Sequence, residues 1–189
     1  MRDRHVRSAL HAQLTAEHWA DADDTVRVDE LGLCGEVRVD VAVVNGTLSG
    51  YELKSASDTL RRLPTQVDVY SRVLDHATLV VAENHAEHSL ALIPEWWGCL
   101  VADWDGAHVT LREHRPAGTN PGIVPYALAQ LLWRDEALSL LERHGADRGV
   151  RSKPRTVLWQ RIAERVALDD LRAEVRQCLK GRQDWRVGP

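Results

Sequence analysis

The sequence predicts an α/β sandwich on a mixed sheet, with a helical piece at its C-terminal end. Three observations predict it. The order of hydrophobic patterns reads helix, three strands, helix, strand, further strands, then helices. Val37-Arg38-Val39-Asp40-Val41-Ala42-Val43-Val44 is a β-branched run that ends at Asn45-Gly46, the strongest short hairpin signal. Beyond Arg115–Pro125, a segment with three prolines and two glycines, every pattern is helical.

Arg2–Trp19 reads as an amphipathic helix with Val6, Leu10 and Leu14 on one stripe. Asp21–Asp24 is a polar break. Val26–Leu31 alternates as a strand does, and Gly32 and Gly35 mark a turn before the β-branched run. Leu48–Ser55 is the returning strand of the hairpin. Asp58 is the expected cap of a helix that contains Pro64 and runs to about Leu74. Thr78-Leu79-Val80-Val81-Ala82 is continuously apolar, the pattern of a strand covered on both faces. A short helix over Ala86–Ile93 stops at Pro94. Gly98–Ala102 and His108–Arg112 form a second hairpin about Asp105-Gly106. Helices are expected over Tyr126–His144, Ser152–Val166 and Asp169–Leu179, with Gly145 as a stop and with Ser152 and Asp169 as caps. These patterns divide the 189 residues into a core, 1–115, and a helical region, 116–189.

Composition excludes several classes. Apolar residues are 44% and charged residues 28%, so the chain buries a core and is not compositionally disordered. No apolar run reaches membrane-spanning length, and Met1-Arg2-Asp3-Arg4-His5 is too charged for a signal-peptide core. Cys34, Cys99 and Cys178 are odd in number and far apart, which argues against a disulfide framework and for a reducing, cytoplasmic setting. There is no GxxxxGK[ST] loop and no GxSxG elbow, so no nucleotide cofactor and no α/β-hydrolase chemistry is expected. His85, His88 and Cys99 lack any paired zinc motif and read as ordinary polar and packing residues.

The chemistry sits at Asp40, Glu52 and Lys54. Side chains two apart on a strand share a face, so Glu52 and Lys54 point to one side. Asp40 lies across the Asn45-Gly46 turn near their level, provided that it shares a face with Arg38, Ala42 and Val44, opposite Val39, Val41 and Val43. Two carboxylates and an ammonium on an apolar hairpin cost several kcal/mol of desolvation unless they pair or bind a cation. Hard divalent cations take carboxylate and carbonyl oxygen, so Asp40, Glu52 and the Leu53 carbonyl make an open half-site for Mg²⁺ or Mn²⁺. Lys54 stands beside it as the group that orients or activates water. It is one of only three lysines among 24 basic residues, which suits a role needing a compact ammonium. Gln66 and Tyr70, at i and i+4 on the next helix, share a face that brings Gln66 to the edge of this site.

Asp40, Glu52-Leu53-Lys54 and Gln66-Val67-Asp68-Val69-Tyr70 together resemble the D, ExK and QxxxY motifs of the PD-(D/E)XK nuclease superfamily, the last being typical of its RecB-like branch. The stretch from Asp29 to Gln66 is more closely similar to the sce7726 family of that superfamily. Val39 stands where the superfamily's proline often precedes the aspartate. The resemblance implies an αβββαβ restriction-endonuclease-like core and Mg²⁺-dependent hydrolysis of DNA, with RNA second. It implies that Asp40 and Glu52 are metal ligands, that Lys54 is the catalytic lysine, and that Gln66 belongs to the catalytic set. Glu30 is the preferred candidate for the additional acidic residue, with Glu17 competing.

The charge is unevenly spread. Residues 134–189 carry a balance of +4 and residues 1–133 a balance of −8. The turn around Arg151, Lys153 and Arg155, between two apolar-faced helices, is similar to SAP or helix-extension-helix modules, with a phosphate site at the helix start near Ser152. Arg38, Tyr70 and the Arg61-Arg62 pair are the expected nucleic-acid contacts nearer the catalytic residues. The expected partner is therefore DNA rather than a membrane, and a homodimer is compatible with the sequence. The alternative reading is a catalytically inactive nuclease fold that serves as a nucleic-acid-binding or accessory module.

Overall fold

The computed structural model describes residues 2–182. Helix α1 (Asp3–Glu17) leads into strands β1 (Val26–Leu33), β2 (Val37–Val44) and β3 (Leu48–Lys54). Helix α2 (Leu63–Val73), strand β4 (His76–Ala82), the short helix α3 (Ala86–Leu90), and strands β5 (Gly98–Trp104) and β6 (Val109–Arg115) follow. Four helices finish the chain: α4 (Pro125–Ala129), α5 (Arg134–Arg143), α6 (Arg155–Arg165) and α7 (Leu168–Gly181). The strands lie in one sheet in chain order. β1 to β3 form an antiparallel meander, β4 and β5 run parallel to β3, and β6 returns antiparallel. The sheet is thus mixed, as expected.

Both faces of the sheet are covered. On one, Val6, Leu10 and Leu14 of α1 pack against Val41, Val43, Leu53, Val80 and Leu100. On the other, α2 and the C-terminal helices share a single larger core with Ala42, Val44, Leu79 and Val81. Two-sided covering explains why β4 is apolar at nearly every position. Gly50 lies under α2 because an ideal Cβ there would sit 2.5 Å from Leu74 Cδ1 and 3.1 Å from Val39 Cγ1. Among the described residues, no helix is long and apolar enough to cross a membrane.

Several expected boundaries move for identifiable reasons. The Tyr126–His144 helix is broken at residues 130–133. The Leu132 carbonyl released there accepts from Trp159 Nε1, the Leu131 carbonyl accepts from Arg182, and Glu136 caps the Trp133 N–H at the restart. α6 begins at Arg155, not Ser152, because Pro154 disfavours helical backbone at the residue before it. Ala167 takes the cap position expected of Asp169. Asp58 does not cap α2. Its carboxylate accepts from the Ser55 N–H at 2.7 Å and the Ser55 hydroxyl at 2.6 Å, closing the turn that leaves β3. The last residues of the expected 116–189 region, 183–189, lie outside the described residues.

Candidate active site

β2 and β3 pair from Val44↔Leu48 to Val41↔Tyr51, and there the ladder ends. The next residue along each strand is Asp40 and Glu52. Instead of continuing the ladder, Asp40 turns its carboxylate to the β3 backbone, and Oδ2 accepts from the Leu53 N–H at 2.8 Å. The strands separate at this point and a cleft of about 1020 Å³ opens, with Asp40, Glu52, Lys54 and Gln66 on its wall. In an extended strand a residue's N–H and C=O face the same neighbour, so the Leu53 carbonyl is turned toward this opening with its N–H.

Glu52 and Lys54 project to the α2 side as strand alternation requires, while Leu53 packs under α1. Both are almost completely buried, with 1% and 4% exposed. Lys54 Nζ donates to Glu52 Oε1 at 2.5 Å and to Gln66 Oε1 at 3.1 Å. Gln66 Nε2 donates to the same Glu52 oxygen at 2.6 Å. The Tyr70 hydroxyl lies 2.5 Å from Glu52 Oε2 and 3.0 Å from the Arg38 carbonyl. Having one proton, it donates to the charged and nearer acceptor. Burial first and the Glu52 carboxylate second push the Tyr70 hydroxyl far above the usual phenol range, so it stays a donor. The helix therefore aims one amide and one phenol at one carboxylate.

Asp40 does not share a face with Arg38, Ala42 and Val44 in the simple way that alternation suggests. Val39 packs with Ala42 and Val44 in the larger core, whereas Val41 and Val43 face α1. The pleat therefore changes sides at Asp40. The β1–β2 ladder pairs Asp29↔Val41 and Leu31↔Val39 but skips Glu30 and Asp40. Glu30, opposite Asp40, has φ +58, a left-handed conformation that costs a non-glycine residue roughly 1–2 kcal/mol. Glu30, strained in this way, and Asp40 both sit on the cleft wall.

Arg7 of α1 completes the site, a residue that no motif or spacing singles out. Its guanidinium donates to the Asp40 carbonyl at 2.7 Å, to Asp40 Oδ1 at 3.3 Å and to Glu30 Oε1 at 3.2 Å. Its spacing from Asp3 is an ordinary i, i+4 pair. Only the crossing of α1 over the sheet brings it to Asp40, and no sequence signal encodes that crossing. Glu17, the competing candidate for the additional acidic residue, is not on the cleft wall and accepts from Gln13 on its own helix.

Other expected contacts divide. Arg38 is exposed and lines the cleft, and Arg62 lines it while Arg61 does not. Tyr70 is fully buried and so unable to touch nucleic acid directly; its place is behind Glu52. Arg151 and Lys153 are exposed on the turn before α6, and Arg155 is exposed as its first residue. Arg151 pairs with Asp147 and lies 3.8 Å from Glu142. The phosphate site expected at Ser152 loses its helix start, which lies at Arg155.

Burial first, and the Glu52 charge second, push the Asp40 carboxyl up to about 7, against the opposing pull of the Leu53 N–H, Arg7 and Lys54. Among the described residues no three His, Cys, Asp or Glu side chains converge as a ready cage. Asp40 and Glu52 supply two carboxylates, and the third oxygen must come from the main chain. A divalent cation between the two carboxylates would offset the burial and the Glu52 charge that raise Asp40, beyond what Arg7 and Lys54 already offset. The residues fit such an ion, with Arg7 as its competitor at Asp40.

The raised Asp40 carboxyl has a consequence for stability. Its folded value of about 7 exceeds the ordinary 3.8, so the protonated form favours folding. That contribution is complete below about pH 4 and is lost as pH rises through about 7. Without metal, the wild-type Tm should fall relative to that of Asp40→Asn between pH 4 and 7.5, and the two should run parallel above pH 8. Melting curves that stay parallel across the acid range would exclude this ionisation.

The fold and cleft define a mixed α/β protein in which buried Glu52, Lys54 and Tyr70 and the half-buried Gln66 cluster where two central strands part. The chain belongs to the family described as Bacteriophage P4 protein cII, which matches residues 1–186. No curated protein matches it. A solved structure described as the SPO1766 protein of unknown function from Silicibacter pomeroyi is 21% identical with a TM-score of 0.46, covering 82% of this chain and 96% of that one.

Proposed function

We propose that the chain is a metal-dependent nuclease with a PD-(D/E)XK-type core, acting on DNA in preference to RNA. One observation carries the reading: Asp40, Glu52, Lys54 and Gln66 meet at the mouth of one cleft, at the point where β2 and β3 diverge. The chain order α1-β1-β2-β3-α2-β4 supports the αβββαβ arrangement that the motifs imply. Asp40, Glu52 and the Leu53 carbonyl would hold Mg²⁺ or Mn²⁺, with Glu30 beside them; when bound, the ion supplies Lewis acidity toward the scissile phosphate.

The chain's own residues do the rest. Gln66 and Tyr70 fix the Glu52 carboxylate in one rotamer through opposite oxygens. Lys54, held between Glu52 and Gln66 on the cleft wall, orients the attacking water and offsets phosphate charge. Arg38 and Arg62 are placed on the cleft wall to receive the flanking phosphates. The exposed Arg151, Lys153 and Arg155 give a sequence-tolerant backbone contact farther along.

The test is incubation with linear, circular, single- and double-stranded DNA, with Mg²⁺, Mn²⁺ or chelator. Metal-dependent cleavage is the expected result. Binding without cleavage under every condition would favour the inactive accessory module instead, a reading supported by the hydrogen bonds that already engage every carboxylate oxygen of Asp40 and Glu52.

A further inference from the structure

The cleft has a neighbour. A second groove of about 400 Å³ lies across the β1–β2 turn, and the two depressions share Glu30, Gly32 and Gly35. That turn is left-handed at both Cys34 and Gly35, and the space where side chains would stand at Gly32 and Gly35 is open. The ridge between the depressions is therefore low, and a chain can pass over it without meeting a side chain at either glycine.

The far wall of the groove comes from the C-terminal helices: Trp133 before α5, Arg155 and Trp159 of α6, and Arg182 after α7. Trp133 is 43% exposed, uncommon for an indole in a folded chain. Its ring is held by the Arg182 guanidinium 4.3 Å from its centroid, and Arg182 is itself pinned by Glu136 and the Leu131 carbonyl. Arg155 lies 5.2 Å over the Trp159 ring, whose Nε1 donates to the Leu132 carbonyl. Among the described residues that line the groove, the one acidic residue is Glu30, on the ridge itself. A held, exposed indole and an exposed guanidinium lining one groove are the groups that stack a base and meet its phosphate.

We propose that this groove is a subsite for single-stranded nucleic acid, which takes the nucleotide next to the one in the cleft: Trp133 stacks the base and Arg155 meets the phosphate. The assignment rests on the nuclease reading of the cleft and extends it to substrate class. A strand must lie in both depressions at once, and only an unpaired strand frees a base for the indole. A duplex keeps its bases stacked on one another.

The experiment measures binding of fluorescein-labelled oligothymidylates of 2 to 12 nucleotides to the full chain by anisotropy, in chelator, alongside a labelled duplex. The subsite predicts single-strand preference and a gain in affinity once the oligomer is long enough to reach the groove. Trp133→Ala and Arg155→Glu should each weaken the 12-mer roughly 5- to 100-fold and leave the dinucleotide unaffected. Trp133→Tyr should restore most of the loss. Arg155 is exposed, so its variant keeps the fold and the question stays open to test if Trp133→Ala folds badly. Wild-type affinity for the 12-mer in Arg155→Glu, or in a folded Trp133→Ala, or a preference for duplex, overturns the subsite even if the chain cleaves DNA. Groove-dependent binding with no cleavage under any metal sustains the subsite and sinks the nuclease reading.

Discussion

Glu52→Gln is expected to reduce metal-dependent cleavage by at least about 10²-fold while the chain still folds. Gln has the same shape, and its amide oxygen can accept from Tyr70 or Gln66 as the carboxylate does. What it removes is the charge that pairs with the buried Lys54 ammonium at 2.5 Å and that would ligate the ion. Breaking a buried pair from one side costs about 3–5 kcal/mol, so a lower Tm should accompany the loss of activity without abolishing the transition. Turnover of plasmid and single-stranded DNA in Mg²⁺, read beside circular-dichroism melts, checks both halves. Cleavage that persists in Glu52→Gln with chelator present would exclude the mechanism.

The second large effect lies at the other end of β3. Asp75, 3% exposed, ties four parts of the chain together. Its carboxylate accepts from the Leu48 N–H at 2.7 Å and from Arg172 Nε at 2.8 Å, with Arg176 3.8 Å away, and its main-chain carbonyl accepts from the Asn120 N–H. Asp75→Ala leaves the Leu48 N–H without its acceptor and takes from Arg172 its buried partner, leaving it the exposed Asp169. The expected cost is again about 3–5 kcal/mol, or roughly 10 °C in Tm for a chain of this size. Asp75 is not on the cleft wall, so cleavage per folded molecule at low temperature should not change. The two variants thus separate stability from chemistry. A shift below about 3 °C would show that α7 is held by its apolar contacts alone.

Much of this architecture was legible in the residues. The limits of β2 follow from its β-branched run and the Asn45-Gly46 turn, because hairpin chemistry is local. Glu52 and Lys54 share a face because strand alternation is a property of the backbone, and Gln66 and Tyr70 meet Glu52 because i, i+4 spacing is likewise local. What was not legible depends on tertiary placement. The pleat reversal at Asp40 needs the left-handed backbone at Glu30, which no residue type demands. Arg7 reaches Asp40 only through the angle at which α1 crosses the sheet. Tyr70 carries a hydroxyl that could serve a ligand as readily as a neighbour, and only its complete burial assigns it to Glu52. The break before α5 was hidden for a similar reason: the groups that satisfy its carbonyls, Trp159 and Arg182, are distant in sequence.

Joint binding of a divalent cation by Asp40 and Glu52 is read out by Mn²⁺ titration calorimetry at pH 8. Wild type should bind Mn²⁺ with an affinity that weakens as pH falls through about 7, approaching tenfold per pH unit, as Asp40 takes up its proton. Asp40→Asn should lose that binding together with its pH dependence, and Arg7→Met should strengthen binding by removing the competing guanidinium at Asp40. Absence of Mn²⁺ binding in the wild type, or equal binding in wild type and Asp40→Asn, would contradict the account.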